Sequence, residues 1–148
     1  VANFVFNVAL GMVGYYATLP AANDALIAIP LEATGLETDA VLRDKDTLAD
    51  VVSGTTNEQT TLGRQILTTV TATVDDTNDR LAVDSADITW DDTSGNPIGA
   101  IVICYDPDTT TGTDSTLIPL CKYDAPMTPD GTDFTASVND LLRVTSAT

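Results

Sequence analysis

Apolar residues in this chain come in short bursts, separated by polar stretches rich in Asp and Thr. The clearest burst, Ile98 to Tyr105 (IGAIVICY), has no polar side chain before its Tyr and lies between Pro97 and Pro107. A β-branched run of that length with two apolar faces predicts a strand buried on both sides. Asp106-Pro107-Asp108 then turns the chain, because Pro fixes φ and Asp bonds nearby backbone amides. Thr116 to Tyr123 reads as the returning arm of a long β-hairpin. Its Pro119 cannot donate to a ladder, so it belongs at an edge or a bulge.

The other bursts are shorter. Asn3 to Phe6 suits a short strand, and Val8, Ala9, Met12, Val13 and Tyr16 recur at helical spacing. Gly11 and Gly14 weaken that helix, each costing about 1 kcal/mol against Ala, and Pro20 ends it. Ala25 to Leu31 is strand-like but cut by Pro30, with Thr38 to Leu42 as its extension past a turn at Gly35. Asp46 to Val52 reads as a short helix capped by Asp46 and stopped near Gly54. Thr55 to Thr61 is a polar loop. Gln65 to Val74, rich in β-branched residues, predicts one strand, and Asp75 to Asp79 a turn. Arg80 to Asp84 and Ile88 to Trp90 alternate as half-buried strands do. Asp91 to Pro97 and Asp124 to Asp133 are loops, Phe134 to Val138 is a last strand, and residues 145–148 form a frayed tail. The pattern predicts a single domain over 1–148, mainly β with minor α. It is a β-sandwich or barrel-like domain with one or two short helices in the first third.

Composition sharpens this picture. A chain of 148 residues can bury a core without staples, but aromatics make up only 5 %, so aliphatic side chains must fill it. With 22 acidic residues against six basic ones and no His, the formal charge is −16. Such a surface does not suit nucleic acid, whose phosphates require Lys and Arg, nor an anionic membrane. It favours solubility, high-salt tolerance or a basic protein partner. The N-terminal stretch to Asn23 lacks the basic start of a signal sequence, the first basic residue being Arg43, and it is read as part of the fold.

The candidate chemistry is sparse. Without His there is no Ser-His-Asp or Cys-His system and no His-ligated metal. No phosphate-binding glycine motif occurs. Lys45 and Lys122 sit in polar or strand-edge settings, with no sign of a desolvated reactive amine. A glycosidase would need two carboxyls beside a sugar platform, for which Trp90 is the only Trp. No catalytic or cofactor-binding residue is assigned, and the reading is a non-enzymatic protein. Calcium is the one specific option, at Asp106, Asp108 and Asp114 in the hairpin loop or at Asp75, Asp76 and Asp79 in the earlier turn. Neither loop has the spacing of a helix–loop–helix calcium site, and side-chain-to-backbone turns account for the same residues. If the hairpin loop spans Asp106 to Ser115, Cys104 faces Leu117 and Cys121 faces Ala100. The two sulfurs then share a face about 13 Å apart, beyond the reach of a disulfide, as buried free thiols.

Three stretches, VANFVFNVALGMVGYY, DDTNDRLAVDSADITW and GNPIGAIVICYDPDTTTGTDSTLIPL, resemble small virion proteins of tailed phages, encoded among head-morphogenesis genes of siphoviruses. The likeness runs from Val1 to about Val138. It implies a capsid decoration or cement protein that binds the major capsid protein and copies of itself, as a homo-oligomer such as a trimer. It places the chain in the virion, assembled in the host cytoplasm. A neck, tail-tube or fibre component is the alternative within the virion. A calcium-dependent adhesion or carbohydrate-binding β-domain is the alternative from another class. Residues 1–20 are a contact arm or a packed helix, with Phe4, Phe6, Met12, Tyr15 and Tyr16 as the expected partner contacts.

Overall fold

A computed structural model describes residues 2–145. In chain order the elements are β1 (Phe4–Val5), a 3-10 turn (Asn7–Ala9), α1 (Val13–Thr18), β2 (Ala25–Glu32), α2 (Asp39–Leu42) and α3 (Leu48–Val51). Then come β3 (Gln65–Ile66), β4 (Thr71–Asp75), β5 (Arg80–Asp84), β6 (Ile88–Trp90), β7 (Ile98–Asp106), β8 (Ile118–Met127), β9 (Phe134–Ala136) and β10 (Leu142–Thr145). The protein is mainly β with minor α, as expected. Three short α-helices stand where one or two were predicted.

The architecture is layered around a central five-stranded antiparallel sheet in the order β1-β8-β7-β2-β3. One face carries Ile27, Ile29, Leu31, Val102 and Cys104, which pack against Leu42 of α2 and Leu48 and Val51 of α3. The other carries Leu26, Ala28, Ile101, Ile103 and Leu120, covered by Val13 and Ala17 of α1, Val83 of β5 and Trp90 of β6. Two small sheets, β10-β5-β4 and β6-β9, lie on this second side. The sheets are open-ended, so the β-sandwich half of the expectation holds on one face, while helices cover the other. A strand with cores on both sides has no polar face, which is why β2 and β7 read as continuous apolar runs.

Pro30 does not cut β2. The Pro30 carbonyl accepts the Gln59 N–H at 2.9 Å. Because N–H and C=O of one strand residue point the same way, the absent donor faces the 58–60 segment and the ladder to β7 loses nothing. Leu42 belongs to a helix, α2, and not to an extension of β2. The expected single strand over Gln65 to Val74 is split between two sheets. Thr69, at φ 55°, marks the corner between β3 and β4.

The hairpin forms, but in another register: Tyr105 pairs with Ile118, Cys104 with Pro119 and Ile103 with Cys121. The extra residue, Leu120, is the bulge that Pro119 predicts, and β8 lies inside the sheet between β7 and β1. The register moved because residues 114–117 have another task. The carbonyls of Leu117 and Asp114 accept the N–H groups of Leu48 and Ala49, each at 3.0 Å. These are first-turn donors that a helix cannot satisfy itself. Thr47, one residue beyond the predicted Asp46, caps the same helix in a reciprocal box with Asp50. The cysteines therefore point to opposite faces, one into each core, and remain free thiols for that reason. The predicted last strand is shorter, as β9, and β10 was not foreseen. Of the predicted frayed tail, Thr145 pairs with Arg80, and residues 146–148 lie outside the described residues.

Candidate functional site

The acidic loops are where the sequence placed its metal candidates, and four of the six carboxylates, Asp75, Asp106, Asp108 and Asp114, have hydrogen-bond or ion-pair partners of their own. Asp108 accepts the N–H groups of Thr110 and Thr111 and both their hydroxyls. Those bonds, the Thr110 hydroxyl first, lower its pKa to about 2. Asp106 accepts the Asp108 N–H at 3.0 Å. Asp114 turns away to Arg64 at 2.8 Å, which also holds Glu58. In the earlier turn Asp75 accepts the Asn78 amide at 2.7 Å and pairs with Arg80 at 3.0 Å, and the Asn78 bond leads in holding its pKa low. Among the described residues no three His, Cys, Asp or Glu side chains are grouped to hold a metal ion. Asp and Thr here build turns, as their side-chain bonding to backbone dictates.

The expected contact residues separate into two sets. Phe6 is fully buried between the sheet and the helices, so it is core and not surface. Phe4 is half-buried, with the Arg43 guanidinium 4.9 Å from its ring centre. Tyr16 packs on Tyr105 at 5.2 Å between ring centres. Met12 and Tyr15 are exposed, joined by Leu10 at 61 % exposure, which the helical reading had not singled out. Gly11, at φ +75°, breaks the predicted helix between the 3-10 turn and α1, and that break turns Leu10 outward. Gly14 lets α1 lie directly on β5, since a Cβ there would come within 2.3 Å of Leu81 Cδ2.

Leu81 stands in register with Val74 of β4 and Val144 of β10, so the three side chains share one face of their sheet. Val74 is 70 % exposed and Val144 is also exposed. Helix α1, which carries Tyr15 and follows Leu10 and Met12, contacts β4 and β5, and Asp75, Asp76 and Asp79 border the uncovered end of the three-stranded sheet beside Val74 and Val144. Val74 and Val144 alternate correctly for an inward face. Only the tertiary arrangement leaves that end uncovered.

A crevice of about 500 Å³ between β1 and residues 139–143 is lined by Phe4, Val5, Cys121, Tyr123 and Leu141. The Tyr123 hydroxyl donates to the Leu141 carbonyl. Burial raises the pKa of Tyr123 and pushes Cys121 up to about 11, which keeps both protonated at neutral pH.

Lys122 corrects the sequence reading most sharply. Its ammonium is completely buried on the helical side of β8, held by Asp39 at 2.9 Å and Asp124 at 2.5 Å, with the Phe4 ring centre at 5.6 Å. The Ala2 N–H donates to the second Asp39 oxygen at 2.8 Å, and Asn3 Oδ1 accepts the Asp124 N–H at 2.9 Å. Lys122 lowers the Asp39 pKa. The N-terminal arm is therefore fastened over a buried charge. Only the alternation of β8 with the cysteine between the two cores carried a trace of this.

Set against protein-family models, curated proteins and solved structures, the chain matches none of them.

Proposed function

We propose that this domain is a non-enzymatic structural component of a virion, a decoration or cement protein that seats on the major capsid lattice and on copies of itself. The observation that supports the reading is the exposure of five apolar side chains, Leu10, Met12 and Tyr15 before and on α1 and Val74 and Val144 on the sheet it contacts, on a chain of formal charge −16. Copies carrying that charge repel one another and a like-charged shell, so contact needs apolar surface or basic residues on the other side. Exposed apolar side chains before and on α1, and on a sheet face with acid at its rim, suit such a contact. The remaining acidic surface repels packaged DNA and keeps the domain soluble.

The test is co-sedimentation with shells of the major capsid protein encoded beside this chain. Wild-type chain pellets with the shells in fixed proportion, and Tyr15→Asp with Leu10→Asp stays in the supernatant while retaining the wild-type melting temperature. Equal pelleting of both proteins contradicts these side chains as the contact. Failure of the wild type to pellet contradicts the capsid reading.

A further inference from the structure

Among the described residues Lys122 is a fully buried amine that the contact function does not use. A fully buried ammonium is among the least frequent placements of a lysine, and its desolvation is costly even when paired. Here the arrangement around it does more than neutralise it. The amine of Lys122 meets one oxygen of Asp39 at 2.9 Å, and Asp124 Oδ1 meets the same nitrogen at 2.5 Å. The Ala2 N–H holds the other Asp39 oxygen at 2.8 Å. Nucleophile, carbonyl carbon, proton acceptor and oxyanion donor thus converge at one point.

We propose that Lys122 and Asp39 condense spontaneously to an isopeptide bond, with Asp124 carrying the protons. Asp124 takes a proton from Nζ and passes it to Oδ1 of Asp39, and the freed amine attacks Cγ of the neutral carboxyl. The N–C bond forms as the electron pair moves onto Oδ2, where the Ala2 N–H stabilises it. Asp124 then carries a second proton from nitrogen to the Oδ1 hydroxyl, and the C–O bond breaks as water leaves. Ammonium and carboxylate become amide and water; nothing is oxidised or reduced, and Asp124 ends as it began. Fixed proximity supplies the effective concentration that the same pair lacks in water. Burial of Nζ shields the product from hydrolysis. The product keeps the existing bonds, with the new amide N–H donating to Asp124 and its oxygen accepting from Ala2. It would tie α2 to β8 across a separation of 83 residues, a long loop closed covalently.

The proposal does not depend on the virion reading. Intact mass of the purified, denatured chain tests it: one water is missing from every molecule, and a protease digest yields a branched peptide joining the Asp39 and Lys122 segments. Asp39→Ala and Asp124→Ala each restore the full sequence mass. A folded wild type at full mass, with Lys122 freely acylated after unfolding, overturns the proposal. So does a missing water without the branched peptide, which is the signature of a cyclised aspartate. Because the wild-type mass decides alone, a variant that fails to fold does not blunt the test.

Discussion

At the scale of single residues, carboxylates, thiols and one amine carry the testable chemistry. Asp24, Asp75, Asp108 and Asp130 all titrate below the ordinary carboxylate value of 3.8, held chiefly by Ala21 N–H, Asn78, Thr110 and Thr132 respectively. A carboxyl whose folded pKa is depressed stabilises the fold fully above its unfolded value and loses that contribution as pH falls through the folded one. The melting temperature should therefore be level from neutral pH to about 5 and fall between about 4 and 2. A melting temperature that climbs steadily on acidification would mean that self-repulsion among the acidic residues outweighs these bonds. The thiols give a second check. Burial pushes Cys104 upward and Cys121 to about 11, so neither should react with a maleimide in the native protein at pH 8, and both should react in denaturant. Fewer than two labels after unfolding without reductant would reveal a disulfide.

Free thiols were legible in the sequence, but for a reason that the register replaced: the cysteines are kept apart by the sheet itself and not by an offset along it. The turn-building role of Asp and Thr was equally legible, because those side chains bond locally. Lys122 was not. Its environment is assembled from Ala2, Asp39 and Asp124, which come together only when the sheet forms.

At the scale of elements, the short strands and their faces followed from alternation, while the boundaries depended on long-range hydrogen bonds. The hairpin loop illustrates this: residues 114–117 leave β7 to cap α3, a demand invisible from the loop's own composition. Thr47 anchors that helix from the other side. Thr47→Ala should cost about 1 kcal/mol by removing the reciprocal cap, read as a shift in the denaturant midpoint at constant slope; no shift would mean that the loop carbonyls suffice. Trp90 joins β6 to the second core, stacking on Phe134 at 5.7 Å and donating to the Gly63 carbonyl at 2.9 Å. Trp90→Ala should cost about 3–5 kcal/mol, since a buried aromatic and its hydrogen bond go together. A loss under about 1 kcal/mol would show that the small sheets contribute little to the core.

At the scale of the whole molecule, charge and apolar surface oppose each other. A formal charge of −16 on one small domain favours dispersion, and screening should raise its stability as NaCl increases from low to molar concentration. A melting temperature flat across that range would show the ion pairs and the repulsion cancelling. Against this dispersed charge stand the exposed apolar side chains of Leu10, Met12, Tyr15, Val74 and Val144, which the proposed function assigns to contact with the shell. The most direct test is a density map of the virion in which the proposed function places this chain. The account predicts the layered domain on the outer surface of the head, repeating with the capsid lattice, with α1 and the ends of β4 and β10 turned toward the shell or a neighbouring copy. A map with the domain elsewhere, or seated on the shell with Leu10 and Tyr15 facing solvent, would contradict it.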